Sequence, residues 1–240
     1  MKPVTRRRIA FILGFAAYFV AVWFFWSTPV VYPLRIFVVM LHEVSHAAAA
    51  LATGGHVERI VLTADEGGAT YVAGGNAFLI LSAGYLGSLG WGLLLLEAAR
   101  MHKRWLRGIV AVAGIAVIVI ALAVVRNLFG FIFSVGFGAA LVLAARFLSP
   151  GASAGMLTVL GLTSTLYAVL DIRSDVLQRP HLESDAFMLA QLTNVPTLVW
   201  GVLWSAAALA ASGWALARAY RETTRAGRGV RGRGARARVG

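Results

Sequence analysis

The chain contains no cysteine among its 240 residues. That excludes a disulfide framework, a thiolate metal site and a cysteine nucleophile. Charge is also scarce: only 13% of residues are charged, where soluble domains carry about 25%. In its place the sequence is 59% hydrophobic with a mean hydropathy of +0.77. A globule of this size cannot hide so much apolar material behind a polar surface. A soluble domain is excluded, and a disordered chain more firmly still. The composition is that of an integral membrane protein, and any metal it holds must be bound by its 5 histidines or 10 acidic residues.

The net charge of +12 is concentrated at the ends. Lys2, Arg6, Arg7 and Arg8 open the chain, and eight arginines fall between Arg218 and Arg238. Beyond Tyr220 there are no aromatic platforms for stacking bases, so nucleic acid is not the expected partner. Anionic lipid headgroups are, at about 1 kcal/mol per basic residue near a membrane surface. Residues 1–220 read as a single transmembrane domain, and residues 221–240 as a disordered Arg/Gly-rich tail.

A bilayer core is spanned by about 20 predominantly apolar residues. That ruler gives candidate spans at 9–27, 33–53, 76–98, 108–125, 127–148, 155–172 and 195–219. The predicted fold is an all-α polytopic membrane protein of six to seven transmembrane helices. A small β-hairpin is expected after the second span, where Val57–Thr63 and Ala69–Ala73 flank Asp65-Glu66-Gly67-Gly68. With seven spans the two basic termini fall on opposite sides, against the positive-inside rule, so orientation stays open. Gly84, Gly87 and Gly90, with Ser82 and Ser88, suit close helix packing, either against the second span or as generic contacts between spans. Arg35 is expected to snorkel, and Arg126 and Asn127 to form a short interfacial loop.

The second span carries His42-Glu43-Val44-Ser45-His46, the HExxH pattern. Residues four apart lie on one helix face, so both imidazoles can reach one ion. Zinc accepts neutral imidazole nitrogen, and the intervening Glu43 is placed to take a proton from metal-bound water. Ionisable side chains at mid-membrane depth are costly and mark function by default. A catalytic zinc site needs a third protein ligand and an open position. Asp171, near the end of the sixth span, is the leading candidate, and Asp175, one turn further on, is the reserve. Asp65, Glu66 and Asp185 lie in more polar segments and are expected on the solvated surface. His56, His102 and His181 are expected there too.

Taken together, LHEVSHAAAALATGG, EGGATYVAGG, SAGYLGSLGWG, LDIRSD and SDAFMLAQLTNVPTLVWGVLW resemble the site-2-protease class of intramembrane zinc metalloproteases. The similarity is to its compact, bacterial, PDZ-less branch, and it runs from about Leu34 to Trp204. It implies Zn2+ held by His42, His46 and Asp171, with Glu43 as catalytic acid/base. It also implies a membrane-protein or peptide substrate and a multi-pass location in a bacterial cell membrane. Asp171 is followed by Ile172, where better-known members carry glycine. The hairpin is a candidate to hold an unwound substrate by strand addition. The competing readings are a metal-binding pseudoprotease that binds membrane clients and a metal-ion transporter.

Overall fold

The computed structural model describes residues 28–173 and 184–236, together with 9, 13, 14, 16–18, 20–22 and 24–26. For 169–171, 173, 216, 219 and 222–236 it describes the backbone alone. The elements are α1 (Tyr32–Ala52), β1 (His56–Leu62), β2 (Gly68–Ala73), α2 (Ala77–Ala98), α3 (Lys103–Val124), α4 (Leu128–Phe147), α5 (Pro150–Arg173), α6 (Asp185–Thr193) and α7 (Thr197–Arg236). The chain divides into two units, Met1–Tyr32 with Ala210–Gly240, and Pro33–Leu209. In the first, the described residues between 9 and 25 are helical. The second carries the hairpin and the candidate site.

Five described helices are long and apolar enough to cross a membrane: α1, α2, α3, α4 and the Thr197–Ala215 part of α7. They match five of the seven expected spans. The expected span at 155–172 is also helical, as part of α5, and the one at 9–27 lies partly outside the described residues. The protein is thus a multi-pass helical membrane protein with one small antiparallel sheet. The backbone of α7 continues to Arg236, through residues expected to form a disordered tail.

Burial divides the helices by role. In the apolar window of α1, 61% of residues are buried, against 22% in α3 and 28% in α4. Helix α1 is therefore surrounded by protein while α3 and α4 present most of their surface outward. Helices pair where glycines let backbones meet. A Cβ on Gly114 of α3 would stand 2.5 Å from the Gly138 carbonyl oxygen of α4, and one on Gly92 of α2 would stand 2.8 Å from that of Gly161 in α5.

Helix α1 starts with Pro33 in its first turn, where a missing N–H costs nothing. It ends in a Schellman arrangement: Gly54 takes φ +84°, and the Gly55 amide donates to the Ala50 carbonyl at 2.8 Å. That turn delivers the chain into β1. The hairpin registers Ile60 with Thr70 and Leu62 with Gly68, with an irregularity between Val57 and Arg59. Period-two alternation places Ile60, Leu62, Gly68 and Thr70 on one face. Ile60 and Leu62 are fully buried there.

Three ties hold the hairpin. At its turn, Glu66 adopts φ +69° and its carboxylate accepts from Arg35 of α1 at 2.6 Å. Arg35 therefore does not snorkel; it is buried because it has a carboxylate to pair with. Beside it, hydrogen bonds from the Thr63 side chain and the Asp65 main chain hold the exposed Asp65 carboxyl below its ordinary pKa. On the outer edge of β1, the link between α3 and α4 docks like a fragment of a third strand. Val125 bridges Ile60, the Arg126 amide donates to the Ile60 carbonyl, and Asn127 bonds both polar groups of Leu62. The third tie, through Thr70, reaches Glu43.

Candidate metal centre

His42 and His46 occupy successive turns of α1, and their rings meet edge to face with centroids 4.8 Å apart. The helix repeat alone accounts for that. Their common partner comes from 143 residues away from His42. Asp185 Oδ2 lies 3.0 Å from His42 Nε2 and 3.1 Å from His46 Nε2. One ligand atom from each of the three residues falls within 4.8 Å of the others. Among the described residues this is the one group of His, Asp or Glu side chains arranged to share an ion.

Each member is held from outside. His46 Nδ1 donates to the Ile80 carbonyl oxygen of α2 at 2.7 Å. That bond places a ring proton on Nδ1 and turns Nε2 toward Asp185. The Tyr85 ring, almost fully buried, stands edge-on to His42 at 5.5 Å. Asp185 is the first residue of α6, and the Ser184 side chain caps that helix by accepting from the Phe187 amide. A carboxylate in the first turn is favoured by the unpaired N–H groups and the helix dipole.

Two glycines of α2 admit these side chains. A Cβ on Gly84 would press on His42 Nε2 and stand 2.5 Å from Asp185 Oδ2. One on Gly87 would collide with the Ser45 side chain. The expectation that the small residues of this span pack on the HExxH helix is met at both, while a Cβ on Gly90 would meet nothing within 4 Å. Ser45 joins α1 to α2 as well, accepting from Trp91 Nε1 at 3.2 Å and donating to the Leu41 carbonyl.

The donor set fits a divalent cation of the zinc type. Two imidazole nitrogens and a carboxylate oxygen are ligands zinc takes readily. His46 Nε2 and an anionic oxygen 3.1 Å apart call for positive charge between them, a proton or a metal ion. Ligands at ordinary zinc distances of about 2.0–2.1 Å would sit about 3.3 Å apart in a tetrahedron, close to the separations observed. Gly84 keeps the cradle open where any other side chain would fill it.

His42 and His46, expected here from the sequence, are brought together, and the carboxylate beside them is Asp185. Asp185 is buried, at 8% relative exposure, in place of the solvated position expected for it. Its neighbours in sequence are polar, which disguised it; the short helix it starts packs inward through Ala186 and Leu189, both fully buried. Its signal was the pair Ser184-Asp185 opening an apolar stretch, a helix-start signature. The backbone of Asp171 belongs to α5, but its side chain lies outside the described residues, as do Asp175 and His181 entirely. His56 and His102 stand exposed.

Glu43 is buried beside this group. Its Oε2 accepts from Thr70 Oγ1 of β2 at 2.7 Å. A Cβ on Gly68 would lie 2.5 Å from Glu43 Oε1, so the hairpin backbone rests directly on this carboxylate.

A family profile described as Peptidase M50B-like matches residues 15–215. No curated protein and no solved structure matches the chain.

Proposed function

The chain belongs to the Peptidase M50B-like family, the site-2-protease family of zinc-dependent membrane metallopeptidases, and we propose that it is itself a zinc-dependent intramembrane endopeptidase. The observation that carries this reading is the convergence of His42, His46 and Asp185 beside Glu43. His42 and His46 would hold the ion through Nε2, and Asp185 through its carboxylate. Three protein ligands leave one position for water or substrate, the pattern of catalytic sites. Asp185 takes the role the sequence reading gave to Asp171.

Bound there, zinc supplies Lewis-acid polarisation of a carbonyl and a water made acidic near neutral pH. Glu43 would act as general base toward the attacking water and would pass the proton to the leaving amine. The His46–Ile80 bond keeps the ring in the tautomer that presents Nε2. Substrates would be membrane proteins or peptides whose helix must unwind before an amide is reachable. The outer edge of β1 is occupied by residues 125–127, which supports β2 as the strand that meets an extended segment. The Arg-rich tail would contact anionic lipid.

Metal analysis and cleavage test the reading together. Purified protein should hold about one zinc per chain, and the His42→Ala/His46→Ala double variant should lose it. Glu43→Gln should keep zinc while cleavage of a co-expressed membrane-protein client disappears. A wild-type protein without zinc would overturn the reading. Undiminished cleavage by Glu43→Gln would overturn the role of Glu43, and a zinc-loaded wild type that cleaves no client would favour the pseudoprotease.

A further inference from the structure

We propose that Thr70 is the positioning residue for Glu43, its hydroxyl fixing the carboxylate in the orientation that catalysis uses; this rests on the reading of Glu43 as the general base. The geometry is unusual in that one hydroxyl addresses both ends of a single residue. Thr70 Oγ1 lies 2.7 Å from Glu43 Oε2 and 2.9 Å from the Glu43 main-chain oxygen. Its single proton, shared between these two acceptors, ties the carboxylate to its own helix backbone. A glutamate side chain has several rotatable bonds, and nothing in the α1 sequence itself restrains them.

The hairpin brings a hydroxyl there for a reason of register. Gly68 and Thr70 share a strand face by period-two alternation. Gly68 has no side chain where Glu43 Oε1 comes closest, which lets β2 approach α1 until the next residue on that face, Thr70, reaches hydrogen-bond distance. Gly68 thus bounds one carboxylate oxygen by contact, and Thr70 holds the other by a hydrogen bond. The Arg35–Glu66 pair and the Asn127–Leu62 bonds fix the hairpin at two more points. Threonine suits the place better than serine on a strand, because its β-branched side chain is restricted in χ1.

Three variants in the full chain test this: Thr70→Val, which keeps shape and β-propensity but deletes the hydroxyl, Thr70→Ser, which restores it, and Glu43→Gln. The first measurement is independent of turnover. The infrared carboxylate band of Glu43 is isolated by subtracting the Glu43→Gln spectrum, using metal-free protein in lipid. Thr70→Val should shift this band and Thr70→Ser should return it to the wild-type position. The second is hydrolysis of casein, used as an unfolded probe, by zinc-loaded protein. Thr70→Val should lower kcat by about 10- to 100-fold, the scale of a misplaced catalytic group, with KM and zinc content near wild type. Thr70→Ser should recover most of the rate. An unshifted band together with wild-type kcat in Thr70→Val would overturn the proposal. A rate loss that serine does not rescue, or that tracks loss of zinc, would overturn it too, by assigning Thr70 a structural role. Casein hydrolysis by Glu43→Gln at the wild-type rate would instead remove the general-base reading, an outcome separate from the band measurement.

Discussion

Asp185 and His42 stand 143 residues apart in the chain, yet Asp185 Oδ2 and His42 Nε2 are 3.0 Å apart in the fold. This contact closes the group that His42 and His46 begin. Asp185→Asn should therefore lower zinc affinity at least about 100-fold, beyond the loss typical of an outer-shell partner, with the helical circular dichroism kept. Asp171→Asn, compared side by side in zinc titrations, should retain stoichiometric metal.

Gly84 allows that contact to form. In Gly84→Ala the new methyl would press against His42 Nε2 and Asp185 Oδ2. Overpacking of this kind costs about 1–3 kcal/mol. Because the crowded atoms are ligands, zinc content should fall more sharply than thermal stability. Gly90→Ala, at a position open to 4 Å, is the matched control and should leave both within error.

Glu66 combines a left-handed backbone with a partly buried ion pair to Arg35. Glu66→Ala and Glu66→Gly both delete the pair, but only glycine relieves φ +69°. The glycine variant should be the more stable of the two by about 1 kcal/mol, the strain carried by a non-glycine residue in that region. Thermal unfolding in detergent would show the order, and equal melting temperatures would count against any strain at this turn.

Asn127 donates to the Leu62 carbonyl at 2.6 Å and accepts from the Leu62 amide at 3.1 Å. Asn127→Ala leaves both groups without this partner and should cost about 1–3 kcal/mol. The Leu62 amide should then exchange with solvent deuterium faster than in wild type. Asn127→Asp should be at least as damaging, because its carboxylate faces the Leu62 carbonyl with no proton to offer.

Local pattern made the spans and hairpin legible. The spans of α1 to α4 and α7 show as apolar runs because a backbone in lipid must bond to itself. The hairpin shows because β-prone stretches flank Asp65-Glu66-Gly67-Gly68. Polarity misled at Arg35 and Asp185. Each reads as a surface residue from its neighbours, and each is buried because a partner arrives from another element, Glu66 for Arg35 and the two histidines for Asp185. The docking of Asn127 on Leu62 was hidden for the same reason, since its 65-residue separation carries no periodicity.

By itself the sequence determined the solvent of this protein and half of its chemistry. Missing cysteine and scarce charge put it in a bilayer and limited its ligands to histidine and carboxylate, while the helix repeat set His42 and His46 on one face. Only the tertiary structure brought Asp185 to the two histidines and Thr70 to Glu43. Both contacts depend on where α6 and β2 come to rest against α1. Close approach at glycines and long-range hydrogen bonds govern that placement, and neither leaves a period in the sequence.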